Sequence, residues 1–142
     1  EEHPQHHPEY QTLAYALSLV LLVIKDVSTF SNLPVIADAD TGFGEGEMCA
    51  RTVSDFFHSG AAGLHIEDQV FPKRCGHLNG KELIPTLQMV DKIKIARETS
   101  LKVSGGECVG CARTDAKGVY GLEECIVRSK SYIDAGADMI FP

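Results

Sequence analysis

The chain has 142 residues, of which 44% are hydrophobic and 23% are charged, ordinary proportions for one globular domain with a sizeable core. Its formal net charge of −7 argues against nonspecific binding to nucleic acid or to an anionic membrane, although local cations could still bind an anionic substrate. The five cysteines are irregularly spaced and make a poor disulfide framework. This pattern indicates reduced thiols in the cytoplasm or the mitochondrial matrix.

Residues 1–33 form a segment that differs from the rest of the chain. Within it, residues 13–24 (LAYALSLVLLVI) carry no charge, but a membrane-spanning helix needs about 20 apolar residues. The preceding residues 1–10 are acidic, unlike the basic start of a signal peptide. We therefore expect no membrane segment and predict that residues 13–24 form a buried helix or strand. The whole segment is predicted to be mainly helical.

From residue 34 onward, strand patterns alternate with helix patterns. Short apolar runs predict strands at 34–38, 63–67 and 138–141, and a weaker one at 108–113, where Gly110 is unfavourable. Such alternation implies an α/β fold with a parallel sheet. About four βα units make a partial (β/α)8 TIM barrel or a small open sheet, because a full barrel takes about 250 residues. Three predicted helices are defined by Met48, Val53, Phe56 and Phe57; by Leu87, Val90 and Ile93; and by Leu122, Cys125, Ile126, Ser129, Tyr132 and Ile133 on one face.

The strongest chemical signal is the pair Asp38 and Asp40 at the end of the first predicted strand. Residues two apart in a strand point to the same side, and adjacent carboxylates repel unless a cation or proton lies between them. Mg²⁺ prefers such hard oxygen ligands. Glu67, at the end of the next predicted strand, could also bind the ion, directly or through a water molecule. The alternative is a solvated loop with helix-capping acids, since two aspartates at this spacing are common.

A second signal is the sequence KRCGH, in which Cys75 follows two cations and precedes an imidazole. A thiol serves as an acid or nucleophile when its pKa lies near the working pH. Lys73, Arg74 and His77 would favour the thiolate, and Gly76 would let the backbone approach a ligand. The alternative is a basic surface loop that happens to contain a cysteine.

Arg113 lies at the end of the third predicted strand, where a guanidinium could grip a carboxylate of a small-molecule substrate with two parallel hydrogen bonds. The alternative is an ion pair with Asp115 or Glu67. Just before it, Cys108 and Cys111 form a CxxC pattern that lacks the second cysteine pair of a zinc site. We interpret these two as incidental strand cysteines.

Five segments, taken in order, resemble the hallmarks of the isocitrate lyase/phosphoenolpyruvate mutase superfamily. The KRCGH loop resembles that of the lyases, and the surrounding sequence is most similar to 2-methylisocitrate lyase-like short lyases. The resemblance covers about residues 32–142 and defines a partial barrel domain at 34–142; residues 1–33 do not share it. The segments are PVIADADTGFG at 34–44, GLHIEDQ at 63–69, KRCGHLNG at 73–80, ARTDA at 112–116 and GADMIFP at 136–142.

The resemblance implies a C–C bond lyase, dependent on Mg²⁺ or Mn²⁺, that cleaves a 2-methylisocitrate- or isocitrate-like hydroxy-polycarboxylate by a retro-aldol/Claisen step. It also implies that Cys75 protonates the enolate left by cleavage, and that the full-length protein is a homo-oligomer. The implied site residues are the metal ligands Asp38, Asp40 and Glu67, the catalytic residues Cys75, His77 and Lys73, and the substrate-binding residues Arg113 and Gly76.

Other functions stay open within the same family resemblance. Oxaloacetate hydrolases share the cysteine loop, and a carboxyphosphonoenolpyruvate mutase-like activity is a further alternative. The family's Ser-Gly-Gly substrate loop and a further metal-side Asp are not found in residues 1–33, and its later substrate-binding Glu and Arg are not found up to residue 142. A catalytically inactive remnant that folds only with another chain is therefore also an expectation.

Overall fold

Four parallel strands lie side by side in one sheet, in the order in which they occur along the chain. The computed structural model describes residues 8–73, 75 and 80–142. Each strand pairs in parallel with the next, which confirms the predicted α/β class with four βα units. The elements are α1 (Pro8–Ser31), β1 (Ile36–Asp38), α2 (Glu47–His58), β2 (Gly63–Glu67), α3 (Thr86–Ser104), β3 (Val109–Arg113), α4 (Ala116–Val119), α5 (Leu122–Asp134) and β4 (Met139–Phe141).

The main core lies between the sheet and the helices that follow β1 and β2. Helix α2 is amphipathic, and its buried residues recur at the spacing of one helix face. It ends at His58, and Gly60, two residues later, adopts a φ of 102° that other residues rarely tolerate. Helix α3 packs along α2 and buries part of its own length against the sheet. Apolar members of this core on α2, β2 and α3 include Val53, Phe56, Leu64, Ile66, Met89 and Ile93.

Helix α5 turns a different face to the interior from the one predicted. Cys125 and Tyr132 are buried as expected, but the third buried residue of the helix is Arg128. Arg128 and Tyr132 both donate hydrogen bonds to the carboxylate of Asp68. Satisfying these buried polar groups orients the helix more strongly than its apolar residues do. The apolar residues left about half exposed by this orientation are Leu122, Ile126 and Ile133.

Helix α1 spans 24 residues. In residues 15–31, where side-chain burial is described, Leu17 and Ile24, two helical turns apart, are buried, whereas most other large apolar side chains are exposed, Phe30 to 85%. The predicted burial of residues 13–24 is therefore wrong for most of the side chains described in that range. Among the described residues, no helix is both long and apolar enough to cross a membrane.

Two glycines of the sheet differ in the space that a side chain would find. A Cβ added at Gly110 would meet only Asp138 Oδ2, at 3.7 Å, whereas one at Gly63 would lie 2.8 Å from the Val109 carbonyl oxygen. Neither glycine has a positive φ. We expect Gly110→Ala to raise the free energy of unfolding by about 0.4–1 kcal/mol, because alanine restricts the unfolded chain. The matched variant Gly63→Ala should lower it by roughly 1–3 kcal/mol through overpacking.

Urea unfolding followed by circular dichroism measures both changes. Equal destabilisation by the two substitutions would show that β3 has no room for a methyl group at Gly110.

Candidate active site

The sheet register brings the predicted site residues to one edge. Asp38 pairs with His65, and Glu67 pairs with Arg113, so the carboxyl ends of the first three strands lie side by side. An open pocket at this edge is lined by four of the predicted residues, together with Lys81, residues of the β3–α4 turn and of α4, and the end of β4. In a (β/α)8 barrel this is the edge that carries the active site. The four residues are Asp38, Lys73, Cys75 and Arg113.

The two aspartates are placed by a turn rather than by strand alternation. Strand β1 ends at Asp38, and Asp40 has a φ of 49°, in the left-handed region. The Asp40 N–H donates to Asp38 Oδ1 at 2.8 Å, and the Asp40 carbonyl accepts from the Glu67 N–H at 2.8 Å. The predicted strand geometry at Asp40 is therefore wrong, because an aspartate tolerates left-handed backbone and its neighbour's carboxylate stabilises the turn.

Glu67 is a buried carboxylate whose charge is only loosely compensated. Neither of its oxygens has a hydrogen-bond partner among the described residues. Lys73 Nζ lies 3.4 Å from Oε1, and Arg113 Nε lies 3.5 Å from Oε2. Burial raises the pKa of Glu67, and the two cations offset this only in part. Such a group is stabilised by any cation that binds it directly.

Lys73, predicted to favour the Cys75 thiolate, lies beside the carboxylates that were predicted to bind Mg²⁺. Its ammonium contacts Asp40 Oδ1 at 2.5 Å and lies between this carboxylate and Glu67. Burial alone would lower the pKa of Lys73, but the hydrogen bond to Asp40 and the charge of Glu67 outweigh it and raise the pKa. In the part of the chain that the structure describes, no three Asp, Glu, His or Cys side chains are close enough to hold a metal between them.

Cys75 differs from the other four cysteines in being exposed. It lines the pocket, whereas Gly76 and His77, predicted beside it, lie outside the described residues. Burial raises the pKa of Cys108 and Cys111, and both thiols are free, in agreement with incidental strand cysteines.

Arg113 makes both of the ion pairs that were the alternative to substrate binding, one with Glu67 and one with Asp115. Its Nε lies 3.5 Å from Glu67 Oε2, and its Nη2 lies 3.7 Å from Asp115 Oδ1. The guanidinium carbon also lies 5.0 Å from the ring centroid of Phe141, within the range of a cation–π contact. These contacts hold the guanidinium at the pocket wall while leaving part of it accessible.

A buried polar network behind the pocket was not predicted. The Asp68 carboxylate is fully buried and accepts from Thr114 Oγ1 at 2.7 Å and from the Tyr132 hydroxyl at 2.7 Å. It also accepts from Arg128 Nη1 and from the Asp115 N–H, both at 3.1 Å. These donors lie 46 to 64 residues further along the chain, so no local pattern could reveal them.

Comparison with known proteins agrees with this geometry. A family model described as phosphoenolpyruvate phosphomutase matches residues 10–142. The protein named probable 2-methylisocitrate lyase 2, from Corynebacterium glutamicum, is 52% identical over 117 residues, which cover 82% of this chain and 37% of the relative. The crystal structure of 2,3-dimethylmalate lyase matches with a TM-score of 0.84 and 44% identity, over 88% of this chain and 42% of that one. The structure of oxaloacetate acetylhydrolase bound to 3,3-difluorooxalacetate matches with a TM-score of 0.82 and 39% identity, over 87% of this chain and 42% of that one.

The matches extend the resemblance and define its scope. The family model begins at residue 10, so most of α1 lies within the region that it matches, although no motif indicated this before about residue 32. The chain spans about two fifths of the length of the relatives it matches, which confirms the predicted partial barrel. The chain therefore belongs to the isocitrate lyase/phosphoenolpyruvate mutase superfamily.

Proposed function

We propose that the chain carries part of the active site of a Mg²⁺-dependent lyase that cleaves a C–C bond in a 2-methylisocitrate-like hydroxy-polycarboxylate. The supporting observation is that one pocket at the sheet edge combines carboxylates, the partly accessible Arg113 and the only exposed cysteine, Cys75. Anion-binding and acid groups thus face the same space, as C–C cleavage of a polycarboxylate requires.

Different residues of the chain would carry different steps of this reaction. Arg113 would bind a substrate carboxylate and orient the bond to be cleaved. When a base takes the hydroxyl proton, that oxygen becomes a carbonyl oxygen as the C–C bond breaks, and the bonding electron pair remains on the carbon next to a carboxylate, as an enolate. The Cys75 thiol would then give its proton to that carbon and be left as a thiolate. Of the residues implied by resemblance, Lys73 would supply positive charge near this proton transfer, and His77 and Gly76 would adjoin the thiol.

The carboxylates at this end of the sheet have the oxygen chemistry that a divalent cation prefers, although no three of them converge on one point in the described structure. Glu67 has two buried oxygens without hydrogen-bond partners in the described structure, and the ammonium of Lys73 already lies between Glu67 and Asp40. Asp38 and Asp40 would hold the metal with support from Glu67, and Mn²⁺ could replace Mg²⁺. When bound, the metal would polarise the substrate oxygens. The solved phosphonopyruvate hydrolase, 30% identical to this chain, was obtained with oxalate and Mg²⁺.

Metal binding tests this part of the proposal. Asp40→Ala should weaken Mn²⁺ and Mg²⁺ binding at least about tenfold, because it removes a direct ligand and second-sphere changes alone cost about that much. Isothermal titration calorimetry measures the affinity. Asp134→Ala, which removes an exposed carboxylate at the end of α5, serves as the control and should bind like the wild type. Equal affinity of wild type and Asp40→Ala would overturn the ligand assignment.

Thiol reactivity tests the role of Cys75. With limiting iodoacetamide at neutral pH, Cys75 should be alkylated first, because the other four thiols are buried and burial raises the pKa of Cys49 to about 11. Peptide mapping by mass spectrometry identifies the labelled residue. In a full-length relative, the change equivalent to Cys75→Ser should lower turnover about 10²–10⁴-fold. Preferential labelling of Cys108 or Cys111 would count against the assignment.

The likeness to oxaloacetate acetylhydrolase favours a second candidate, hydrolysis of oxaloacetate at the same site. The two reactions give different products from different substrates. Formation of oxalate and acetate from oxaloacetate, without cleavage of 2-methylisocitrate, would support the hydrolase.

A further inference from the structure

The chain around Cys75 leaves the sheet and returns to it through one short antiparallel pairing. We call residues 70–81 the Cys75 segment; residues 74 and 76–79 of it lie outside the described structure. At its base, the Val70 N–H donates to the Glu82 carbonyl at 2.8 Å, and the Ile84 N–H donates to the Asp68 carbonyl at 2.9 Å. Both ends of the segment are therefore anchored at one place.

One carboxylate lies at that base and binds both sides of it. Asp115 Oδ2 accepts from Gln69 Nε2 at 2.9 Å, and Asp115 Oδ1 accepts from Lys81 Nζ at 2.9 Å. Gln69 precedes the segment and Lys81 ends it. The Asp115 and Lys81 side chains are only 8% and 11% exposed, so water screens their interaction weakly. Burial alone would raise the pKa of Asp115, but these two hydrogen bonds and the charge of Arg113 lower it, which keeps the carboxylate ionised.

Asp115 is itself fixed to the end of β3. Its backbone N–H donates to the buried carboxylate of Asp68 at 3.1 Å, and Arg113 stands two residues before it. The ordinary role of an aspartate at this position would be to cap α4, but Asp115 makes no side-chain cap hydrogen bond to that helix. Its carboxylate is directed instead to the Cys75 segment.

We propose that Asp115 is a positioning residue whose carboxylate fastens both ends of the Cys75 segment to the end of β3, and so sets the place of Cys75 relative to Arg113. The catalytic meaning of this placement rests on the proposed function, whereas the placement itself does not. A proton donor displaced by about 1 Å can cost about 10²-fold in rate. Asp115 would therefore act on catalysis through Cys75, without contact with the reacting atoms.

The test uses Asp115→Asn, which keeps the shape of the side chain and removes its charge, and Lys81→Met, which breaks the same contact from the other side. In either variant, amide exchange protection around Val70 and Ile84 should fall about 10²-fold, because one partner of a buried ion pair is removed. Protection of β3 should be retained. The combined variant should lose less than the sum of the two single losses, because both substitutions remove the Lys81–Asp115 ion pair.

A second measurement reports position rather than stability. Nitroxide labels at Cys75 and at Lys130→Cys, on the exposed side of α5, give a distance distribution by pulsed electron paramagnetic resonance. We expect one narrow distance in the otherwise unaltered chain and loss of that narrow distance in Asp115→Asn and in Lys81→Met. The control Glu98→Gln breaks the exposed ion pair with Lys102 and should change nothing.

An unchanged distance distribution in a folded variant would overturn the proposal. Equal loss of exchange protection in β3 and in the Cys75 segment would also overturn it, since Asp115 would then serve only global stability. If Asp115→Asn does not fold, Lys81→Met carries the test. Absence of metal binding or cleavage would contradict the proposed function and leave both of these readouts unaffected.

Discussion

A polypeptide of residues 1–142 is expected to cleave 2-methylisocitrate many powers of ten more slowly than a complete lyase. Among the described residues, β1 pairs only with β2 and β4 only with β3, so each presents an edge of unpaired backbone groups. Ile36, Met139 and Phe141 are about half exposed, although parallel strands are normally covered on both faces. The site would lack several contacts to the transition state, and each 1.36 kcal/mol lost is about tenfold in rate.

Light scattering and a cleavage assay with Mg²⁺ measure this expectation. The polypeptide should self-associate or aggregate and should show little or no turnover, whereas the full-length Corynebacterium relative serves as the positive comparison. A monodisperse monomer turning over at about 1–1000 per second would contradict it.

Substitution of Asp68 by asparagine is expected to lower the free energy of unfolding by about 3–5 kcal/mol, the usual cost of removing one partner of a buried ion pair. The Asp68 carboxylate accepts four hydrogen bonds, one of them from Arg128, whose side chain is also buried. The asparagine amide could accept hydrogen bonds through one oxygen only. Its NH2 group would then face the remaining donors of the network, which would have no acceptor. A domain stability of about 5–15 kcal/mol would be largely lost.

Denaturant unfolding gives the change directly. The control is Glu98→Gln, since Glu98 pairs with Lys102 on the surface of α3 at 2.8 Å and an exposed pair contributes about 0–1 kcal/mol. A loss as small as the control's would show that the Asp68 network adds no more than a surface ion pair.

Local patterns determined the layout of the chain. The strands predicted at 34–38, 63–67, 108–113 and 138–141 appear as β1 to β4 with small shifts at their ends, because an apolar run bounded by turns is a short-range signal. The meeting of Asp38 and Arg113 at one pocket follows from parallel strands ending at the same edge. The order of the motifs was also enough to indicate the superfamily.

Only the tertiary structure decided which polar groups meet. Periodicity could not predict that α5 buries Arg128, because its partner Asp68 lies 60 residues away in the sequence. Nor could it predict that Lys73 lies between Asp40 and Glu67, or that Asp115 binds on both sides of the Cys75 segment. Buried polar and charged side chains must each find a partner, and that partner is supplied by the packing of distant segments rather than by neighbouring residues in the sequence.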